Sequence, residues 1–265
     1  MFFVYAAAKP LAPKSTMSKS VKASSKNHVM LIAHRGGSPK HPESSLSAYY
    51  SAISSGSIFL EPDIVPSKDG VLFVTHDNNL KHLTGKNITV SKTTSKKLDR
   101  IKLRNGERLM RLSEMFNNFG DDVFYVVEPK SYYVSPRSAR KMDKKLIKLI
   151  KKYGLEKRVM IQSQSMSSLK FIHSKLRSVP YMYITQNVKV DLIKKIKSLP
   201  SFIDVVSVPY VKASKSVLRV AHKSNIKVAL YTIKDKSSMK KAMRHKPDII
   251  FTDNVKLSIK YLKGG

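Results

Sequence analysis

The 265-residue chain contains no cysteine and no tryptophan. The absence of cysteine excludes disulfide bonds, thiolate metal sites and a cysteine nucleophile anywhere in the protein. Acidic residues are also scarce, because 18 Asp and Glu stand against 50 Lys and Arg, which gives a formal net charge of +32. No stretch of the sequence reaches the roughly 20 consecutive apolar residues that a membrane-spanning helix needs.

The excess of basic residues favours a polyanionic partner, which could be nucleic acid, an anionic membrane surface or a phosphate-rich polymer. The basic residues are mostly Lys, and they are spread along the whole chain rather than gathered in an arginine stripe interleaved with aromatic residues. This distribution makes nucleic acid a less favoured partner. An anionic cell-surface polymer or membrane surface is the favoured partner, and a general surface bias toward Lys is the alternative.

The first 27 residues differ in composition from the rest of the chain. Residues 1–8, MFFVYAAA, resemble the end of a signal-peptide core with an alanine-rich cleavage site, although no basic segment precedes them. Residues 9–27 are rich in Lys and Ser and contain Pro10 and Pro13, which predicts a flexible linker. We therefore expect a flexible N-terminal segment over 1–27 on an extracellular or cell-surface bacterial protein, with a cytoplasmic location as the alternative.

From residue 28 to residue 265, short apolar runs alternate with amphipathic stretches of helical period. The apolar runs are continuous, which is typical of parallel strands covered on both faces. About eight strand–helix units predict an α/β protein with a (β/α)8 TIM barrel, and an open doubly wound sheet is the alternative. The predicted strands are 29–33, 57–65, 71–75, 123–128, 158–162, 180–185, 204–208, 226–231 and 248–251. The predicted helices are 44–55, 138–153, 166–176, 188–199, 213–224, 236–245 and 255–262.

Two features refine this prediction of the fold. The sequence contains neither a glycine-rich dinucleotide fingerprint nor a P-loop, which weakens the open-sheet alternative. Residues 78–111 are polar and interrupt the alternation, so we interpret them as a small insertion after the second strand.

Three acidic residues, Glu61, Asp63 and Glu128, interrupt strands that are otherwise apolar. Carboxylates at the mouth of a barrel are costly unless they are paired or bind a metal. Glu61 and Asp63 lie two residues apart, so their side chains share one side of a strand and repel each other. A hard divalent cation relieves this repulsion, and Glu128 supplies a third oxygen ligand. Salt bridges to Arg35 or Lys130 are the alternative interpretation.

Two histidines, His34 and His76, also follow apolar strands. Cleavage of a phosphodiester needs one group to accept a proton and another to donate one, and two imidazoles can share these tasks. Arg35 offers a planar guanidinium for phosphate oxygens, and Lys130 adds a second positive charge. For either histidine alone, a packed or hydrogen-bonded structural role is the alternative.

Together these motifs resemble the glycerophosphodiester phosphodiesterase family. The matching segments are His34-Arg35-Gly36, Pro42-Glu43, the pair Glu61 and Asp63, Asp69-Gly70 through His76-Asp77, Leu80 to Gly85, and Glu128-Pro129-Lys130. Segments 228–235 and 247–254 match as well, so the resemblance covers nearly all of residues 28–262.

The resemblance implies a barrel with a small insertion after the second strand and hydrolysis of glycerophosphodiesters to glycerol 3-phosphate and an alcohol. It implies one Ca²⁺ or Mg²⁺ as cofactor and a small-molecule or polymeric glycerophosphodiester as substrate. We expect a monomer. The implied residues are His34 and His76 as acid and base, Glu61, Asp63 and Glu128 as metal ligands, and Arg35, Lys130, Glu43 and Tyr231 as substrate or phosphate contacts.

The sequence departs from the family pattern at two places near the substrate. Ser44 and Ser45 follow Glu43 where Asn and Thr are usual, and Tyr231 stands where Trp is usual. These changes leave the identity of the alcohol open. Two alternative functions remain, namely a non-catalytic module that binds anionic phosphodiester polymers and a barrel of the phospholipase D or sphingomyelinase type.

Overall fold

The computed structural model describes residues 15–25, 28–185 and 191–264. Ten strands form one sheet, and their order and pairing decide whether the sheet is open or closed. They are β1 (Met30–His34), β2 (Phe59–Glu61), β3 (Asp63–Pro66), β4 (Leu72–Val74), β5 (Phe124–Pro129), β6 (Val159–Ser163), β7 (Tyr181–Ile184), β8 (Val205–Pro209), β9 (Lys227–Ile233) and β10 (Ile249–Thr252).

The sheet closes into a barrel of eight parallel strand positions. β1 pairs with both β2 and β10, β2 pairs with β5, and β5 to β10 pair in sequence. The predicted (β/α)8 barrel is therefore confirmed, and the open-sheet alternative is wrong. Because all these strands are parallel, their carboxyl ends meet at one mouth.

Helices alternate with the strands of the barrel, and further helices precede β1 and lie in the insertion. In the described part of the chain they are α1 (Met17–Ala23), α2 (Leu46–Ser54), α3 (Lys81–Thr84), α4 (Ser95–Leu98), α5 (Leu112–Phe119), α6 (Pro136–Lys152), α7 (Met166–His173), α8 (Leu192–Lys197), α9 (Lys215–Lys223), α10 (Lys236–Met243) and α11 (Val255–Leu262). None of the described helices is both long and apolar enough to cross a membrane.

Helix α6 shows how the local sequence specifies these elements. The Ser135 side chain accepts a hydrogen bond from the amide of Ser138, and Pro136 occupies the first turn, so both residues favour helix initiation. The buried stripe of α6 includes Met142 and Leu146, and Lys residues cover its outer face. The helix begins two residues before the predicted start and ends one residue before the predicted end.

The second strand of the barrel is interrupted at Pro62, which lacks an amide hydrogen and separates β2 from β3. Beyond the break, β3 pairs in parallel with β5 and in an antiparallel hairpin with β4. The returning chain reaches the start of β3, where the amide of Thr75 donates to the carbonyl of Asp63 at 3.0 Å. The hairpin therefore brings His76 back to the level of Asp63.

The insertion over 78–111 shares a hydrophobic cluster with the β3–β4 hairpin. Its apolar residues pack with the β3–β4 hairpin in a cluster of buried side chains that includes Val65, Phe73, Leu80, Leu83, Val90, Leu98, Leu103 and Leu109. The insertion ends where α5 begins. This helix, which follows the second barrel strand, was absent from the predicted helices.

The N-terminal prediction requires a correction within residues 9–27. Residues Met17–Ala23 form α1, which the side chain of Thr16 caps, instead of a flexible linker. Met17 and Val21 are buried in the cluster that fills the interior of the barrel, and the amide of Met17 donates to the carbonyl of Lys157 just before β6. Helix α1 therefore covers the amino-terminal ends of the strands.

Two predictions fall on residues outside the described ranges. The predicted signal-peptide remnant lies within residues 1–14, and the predicted helix 188–199 begins in residues 186–190. The described remainder of that helix is α8.

Candidate active site

A small cavity of about 110 Å³ opens at the carboxyl ends of the barrel strands. Most of the predicted site residues line it, since it is bounded by His34, Arg35, Glu61, His76, Glu128, Lys130 and Tyr231. The structure thus brings side chains from β1, β2, β5, β9 and the end of the β4 hairpin to one point.

The three predicted carboxylates lie together beneath this cavity. One oxygen from each of Glu61, Asp63 and Glu128 lies within 4.8 Å of the others, and their residues are 1%, 1% and 6% exposed. The strand register explains the proximity, because Asp63 on β3 pairs directly with Glu128 on β5. A strand places alternate side chains on one face, so Glu61 and Asp63 point the same way despite the break at Pro62.

Two cations also contact the carboxylates. Lys130 Nζ lies 2.9 Å from Asp63 Oδ1 and 3.1 Å from Glu128 Oε2, and Arg35 Nε lies 3.2 Å from Asp63 Oδ2. The salt bridges that the sequence left as an alternative are therefore present. They leave Glu128 Oε1 buried and without a hydrogen-bond partner among the described residues.

Burial and mutual repulsion act on the protonation of the carboxylates. Burial, followed by the charges of Asp63 and Glu128, raises the pKa of Glu61 well above its ordinary value. Burial and the charge of Asp63 raise the pKa of Glu128 to about 8. Burial also disfavours ionisation of Asp63, but Lys130 and Arg35 overcome it and hold the pKa of Asp63 below its usual range.

These observations fit a divalent cation. Three oxygen ligands converge, the pKa values of two of them are raised by burial beside another carboxylate, and one oxygen lacks a donor among the described residues. All three are carboxylates, the donors preferred by hard cations such as Ca²⁺ and Mg²⁺.

Each histidine is held by an acidic side chain through its Nδ1 atom. His34 Nδ1 lies 2.6 Å from Asp253 Oδ1, and His76 Nδ1 lies 2.7 Å from Asp77 Oδ1. A carboxylate at Nδ1 favours the tautomer that carries its hydrogen there, which leaves Nε2 as the free acceptor. Burial lowers the pKa of His76 below its ordinary value, and Lys130 and Arg35 act in the same direction.

A tight turn after β1 positions Arg35. Arg35, Gly36 and Gly37 all have positive φ angles, of 51°, 95° and 52°. A Cβ atom at Gly36 would lie 2.6 Å from Ala48 Cβ, so only glycine allows α2 to pack this closely. The turn directs the Arg35 amide to Glu61 Oε2 at 3.0 Å.

Glu43 and Tyr231 have different positions relative to the cavity. Arg35 Nη1 donates to Glu43 Oε2 at 3.0 Å, and Glu43 does not itself line the cavity. Its predicted contact with substrate stays a prediction. Tyr231 does line the cavity, and its hydroxyl donates to the carbonyl of Thr185 at 2.7 Å.

Three residues of the site had no role assigned from the sequence. Gln162 lines the cavity and donates through Nε2 to Glu61 Oε1 at 2.7 Å. Asp77 and Asp253 hold the two histidines. Their positions directly after a strand were the available signal, but the partner of each could not be read from position alone.

The chain resembles known proteins over most of its length. The sequence model of the glycerophosphoryl diester phosphodiesterase family matches residues 34–257. The glycerophosphodiester phosphodiesterase of Caldanaerobacter subterraneus subsp. tengcongensis is 30% identical over 251 residues, which cover 89% of this chain and 98% of that protein.

Solved structures share the fold. The glycerophosphodiester phosphodiesterase of Thermotoga maritima is 28% identical and superposes with a TM-score of 0.73 over 88% of this chain and 98% of its own. An Oleispira antarctica phosphodiesterase, solved with the product sn-glycerol 3-phosphate, is 18% identical with a TM-score of 0.78 over 89% of this chain and 97% of its own. With the family match across most of its length, the chain belongs to the glycerophosphoryl diester phosphodiesterase family, a family of phosphoric diester hydrolases.

Proposed function

We propose that this enzyme hydrolyses glycerophosphodiesters to glycerol 3-phosphate and an alcohol, using one divalent cation and two histidines. The observation that carries the proposal is the convergence of three buried carboxylates and two imidazoles at one small cavity in the barrel mouth. The names of the Caldanaerobacter and Thermotoga relatives support the same substrate class.

Glu61, Asp63 and Glu128 would hold the cation, which is Ca²⁺ or Mg²⁺. When bound, it supplies a Lewis acid that polarises the phosphoryl oxygens and stabilises the charge that develops on them. Arg35 and Lys130 face the same cavity and would orient the phosphate through hydrogen bonds to its oxygens. The contacts of Arg35 and Lys130 with Asp63 fix both side chains in place before the substrate arrives.

The two histidines would move the protons. Nε2 of one imidazole accepts the proton of the attacking hydroxyl, and Nε2 of the other donates a proton to the oxygen of the departing alcohol. Asp253 and Asp77 hold the rings with Nε2 free, and each carboxylate stabilises the imidazolium that forms. The lowered pKa of His76 favours its neutral form, and a general base must be neutral to accept a proton.

The test is hydrolysis of glycerophosphocholine and bis(p-nitrophenyl) phosphate by the full-length protein, with Ca²⁺, with Mg²⁺ and with EDTA. Turnover should depend on the cation, and His34→Ala and His76→Ala should each lower kcat by about 100-fold or more. His82→Ala, an exposed histidine of the insertion, is the control. Binding of the phosphodiesters without turnover in any condition would instead establish the non-catalytic module.

We also propose that the enzyme works on an anionic cell-surface polymer, which would hold it outside the cell. A second cavity, of about 1030 Å³, lies at the opposite, amino-terminal face of the barrel beside α9. Lys215, Arg219 and Lys223 line it at intervals of four residues, about 6 Å apart along the helix axis. Among the described residues that line this cavity, Asp248 is the one acidic side chain, and it is already paired with His222 at 2.8 Å.

The composition of this second cavity favours a polyol-phosphate polymer over single-stranded nucleic acid. The described residues that line it include no Phe, Tyr or Trp. Proteins that bind single-stranded nucleic acid without sequence preference stack the bases on such rings. Lys215→Glu with Lys223→Glu should abolish salt-sensitive retention on immobilised poly(glycerol phosphate). Lys144→Glu with Lys148→Glu on α6 reverses the same charge elsewhere and should leave retention nearly unchanged. Equal retention by both double variants would reject this surface.

A further inference from the structure

A third cavity, of about 540 Å³, lies beside the barrel mouth between the first turns of α6 and α7. It is lined by Tyr132 and Ser131 from the segment after β5, by Arg140 and Asp143 from α6, and by Gln164 from the segment after β6. The proposed catalytic mechanism uses none of these side chains.

The cavity contains polar atoms that lack partners. Asp143 is 1% exposed, and its Oδ1 atom accepts no hydrogen bond from the part of the chain that the structure describes. The same holds for the donors Nη1 of Arg140 and Nε2 of Gln164. A buried polar group without a partner costs about 1–3 kcal/mol, so one such group is unusual and three around one cavity indicate a missing partner.

This polar cavity adjoins the catalytic cavity. Lys130, which contacts Asp63 and Glu128, has its Nζ atom 5.7 Å from the centre of the Tyr132 ring. Tyr132 in turn lines the polar cavity and is 50% exposed. A phosphodiester bound at the barrel mouth thus has this cavity beside it, and its second substituent can extend into that space.

We propose that this polar cavity binds the alcohol half of the phosphodiester and selects a polyhydroxylated alcohol such as glycerol, inositol or a sugar. The inference rests on the proposed phosphodiesterase function. Each hydroxyl both donates and accepts a hydrogen bond, so neighbouring hydroxyls on one ligand can satisfy Asp143, Arg140 and Gln164 together. The exposed face of Tyr132 offers a flat apolar surface for the carbon skeleton.

The same residues disfavour a choline group. A quaternary ammonium is recognised by several aromatic faces, whereas Tyr132 is the one aromatic side chain that the described residues contribute to this cavity. Arg140 also places a positive charge near Asp143, with Nη1 4.0 Å from Oδ2, and its guanidinium is held 3.7 Å from the centre of the Phe171 ring. That charge repels a second cation and attracts hydroxyl oxygens.

The test compares kcat/KM of the full-length enzyme, loaded with Ca²⁺ or Mg²⁺, for glycerophosphoinositol and glycerophosphocholine. Gln164→Ala and Asp143→Ala should each lower kcat/KM for glycerophosphoinositol by roughly three- to tenfold, the effect of one lost hydrogen bond, and change the value for glycerophosphocholine less than about twofold. Gln164 is partly exposed, so its variant is expected to fold even if Asp143→Ala does not. Asn117→Ala, an exposed amide on α5, is the control.

Equal losses for both substrates, or no loss for either, would overturn the inference and indicate that water fills the cavity. A readout without turnover separates this from failure of the proposed function. Ligand-observed NMR with free myo-inositol should detect binding to the wild-type protein that weakens in Gln164→Ala, whether or not any phosphodiester is hydrolysed. If inositol does not bind and the enzyme hydrolyses both substrates without selectivity, the subsite is contradicted and the phosphodiesterase function is not.

Discussion

The ammonium group of Lys130 lies 2.9 Å from Oδ1 of Asp63, and both side chains are almost completely buried. Neither charge has enough water to stabilise it alone, so each depends on the other. Burial disfavours the charged amine, yet Asp63 and Glu128 raise the pKa of Lys130 above its ordinary value. The positive charge is thus part of the structure as well as of the proposed phosphate site.

Replacing this lysine should destabilise the fold. Lys130→Met leaves Asp63 and Glu128 without their shared partner, and breaking a buried pair in this way costs about 3–5 kcal/mol in the free energy of unfolding. Added Ca²⁺ should recover part of the loss by binding the carboxylates that lost their partner, as measured by urea unfolding with Ca²⁺ and with EDTA. The exposed pair of Arg108 and Glu114, 3.8 Å apart, provides the control Arg108→Met, expected to cost less than about 1 kcal/mol. Similar losses in both variants would refute the argument.

Asp253 should act as a positioning residue for His34. Asp253→Asn keeps the size of the side chain but no longer fixes the tautomer of the ring, so we expect kcat to fall about tenfold or more while KM and the melting temperature change little. Steady-state kinetics and thermal unfolding measure these quantities. Asp121→Asn, at an exposed position before β5, should leave all three unchanged. A fall in melting temperature that accounts for the lost activity would show a merely structural role.

The close packing at Gly36 predicts a difference between two glycine substitutions. Gly36 and Gly106 have similar positive φ angles, of 95° and 83°, but a Cβ at Gly106 would meet nothing within 4 Å. Gly106→Ala therefore carries only the backbone cost, about 1–2 kcal/mol. Gly36→Ala adds the overlap with Ala48, typically about 1–3 kcal/mol more in the free energy of unfolding. Chemical denaturation of both variants checks the difference, and equal values would argue against the contact with α2.

Asp143 should make stability depend on pH. Burial raises the pKa of Asp143 to about 6, although Ser168 and Arg140 oppose the shift. Because the folded pKa exceeds the unfolded one, the neutral carboxyl is favoured by folding, and this contribution is present below about pH 4 and lost as the pH rises through 6. As the pH rises from 4 to 8, the free energy of unfolding of Asp143→Asn should therefore increase relative to that of wild type, by at most about 3 kcal/mol. Urea unfolding at both pH values measures the gain, and a difference between the two proteins that does not change with pH would contradict the argument.

The strands and the position of the site could be predicted because both follow from local patterns. Continuous apolar runs mark strands covered on both faces, and polar residues directly after them mark the barrel mouth. Glu61, Asp63 and Glu128 were recognisable because a carboxylate inside an apolar strand requires a partner.

The elements that were missed depend on distant contacts. Helix α1 contains few apolar residues, and its stability comes from burying Met17 and Val21 against the barrel. The bond between His34 and Asp253 joins residues 219 positions apart, which no local pattern encodes. A signal for Asp143 did exist, because it lies four residues from both Ala139 and Ile147 on the buried stripe of α6, where a charge is unexpected.

The position of α1 decides how the enzyme is oriented when it is held by its amino terminus. Because this helix is fixed against the strand ends opposite the catalytic mouth, an attachment made upstream of Ser15 starts from the rear of the barrel. A protein immobilised through that end would present its mouth to the solution, whereas coupling through the loops that follow the strands would obstruct it. Amino-terminal fusions and affinity tags are therefore compatible with access for bulky substrates.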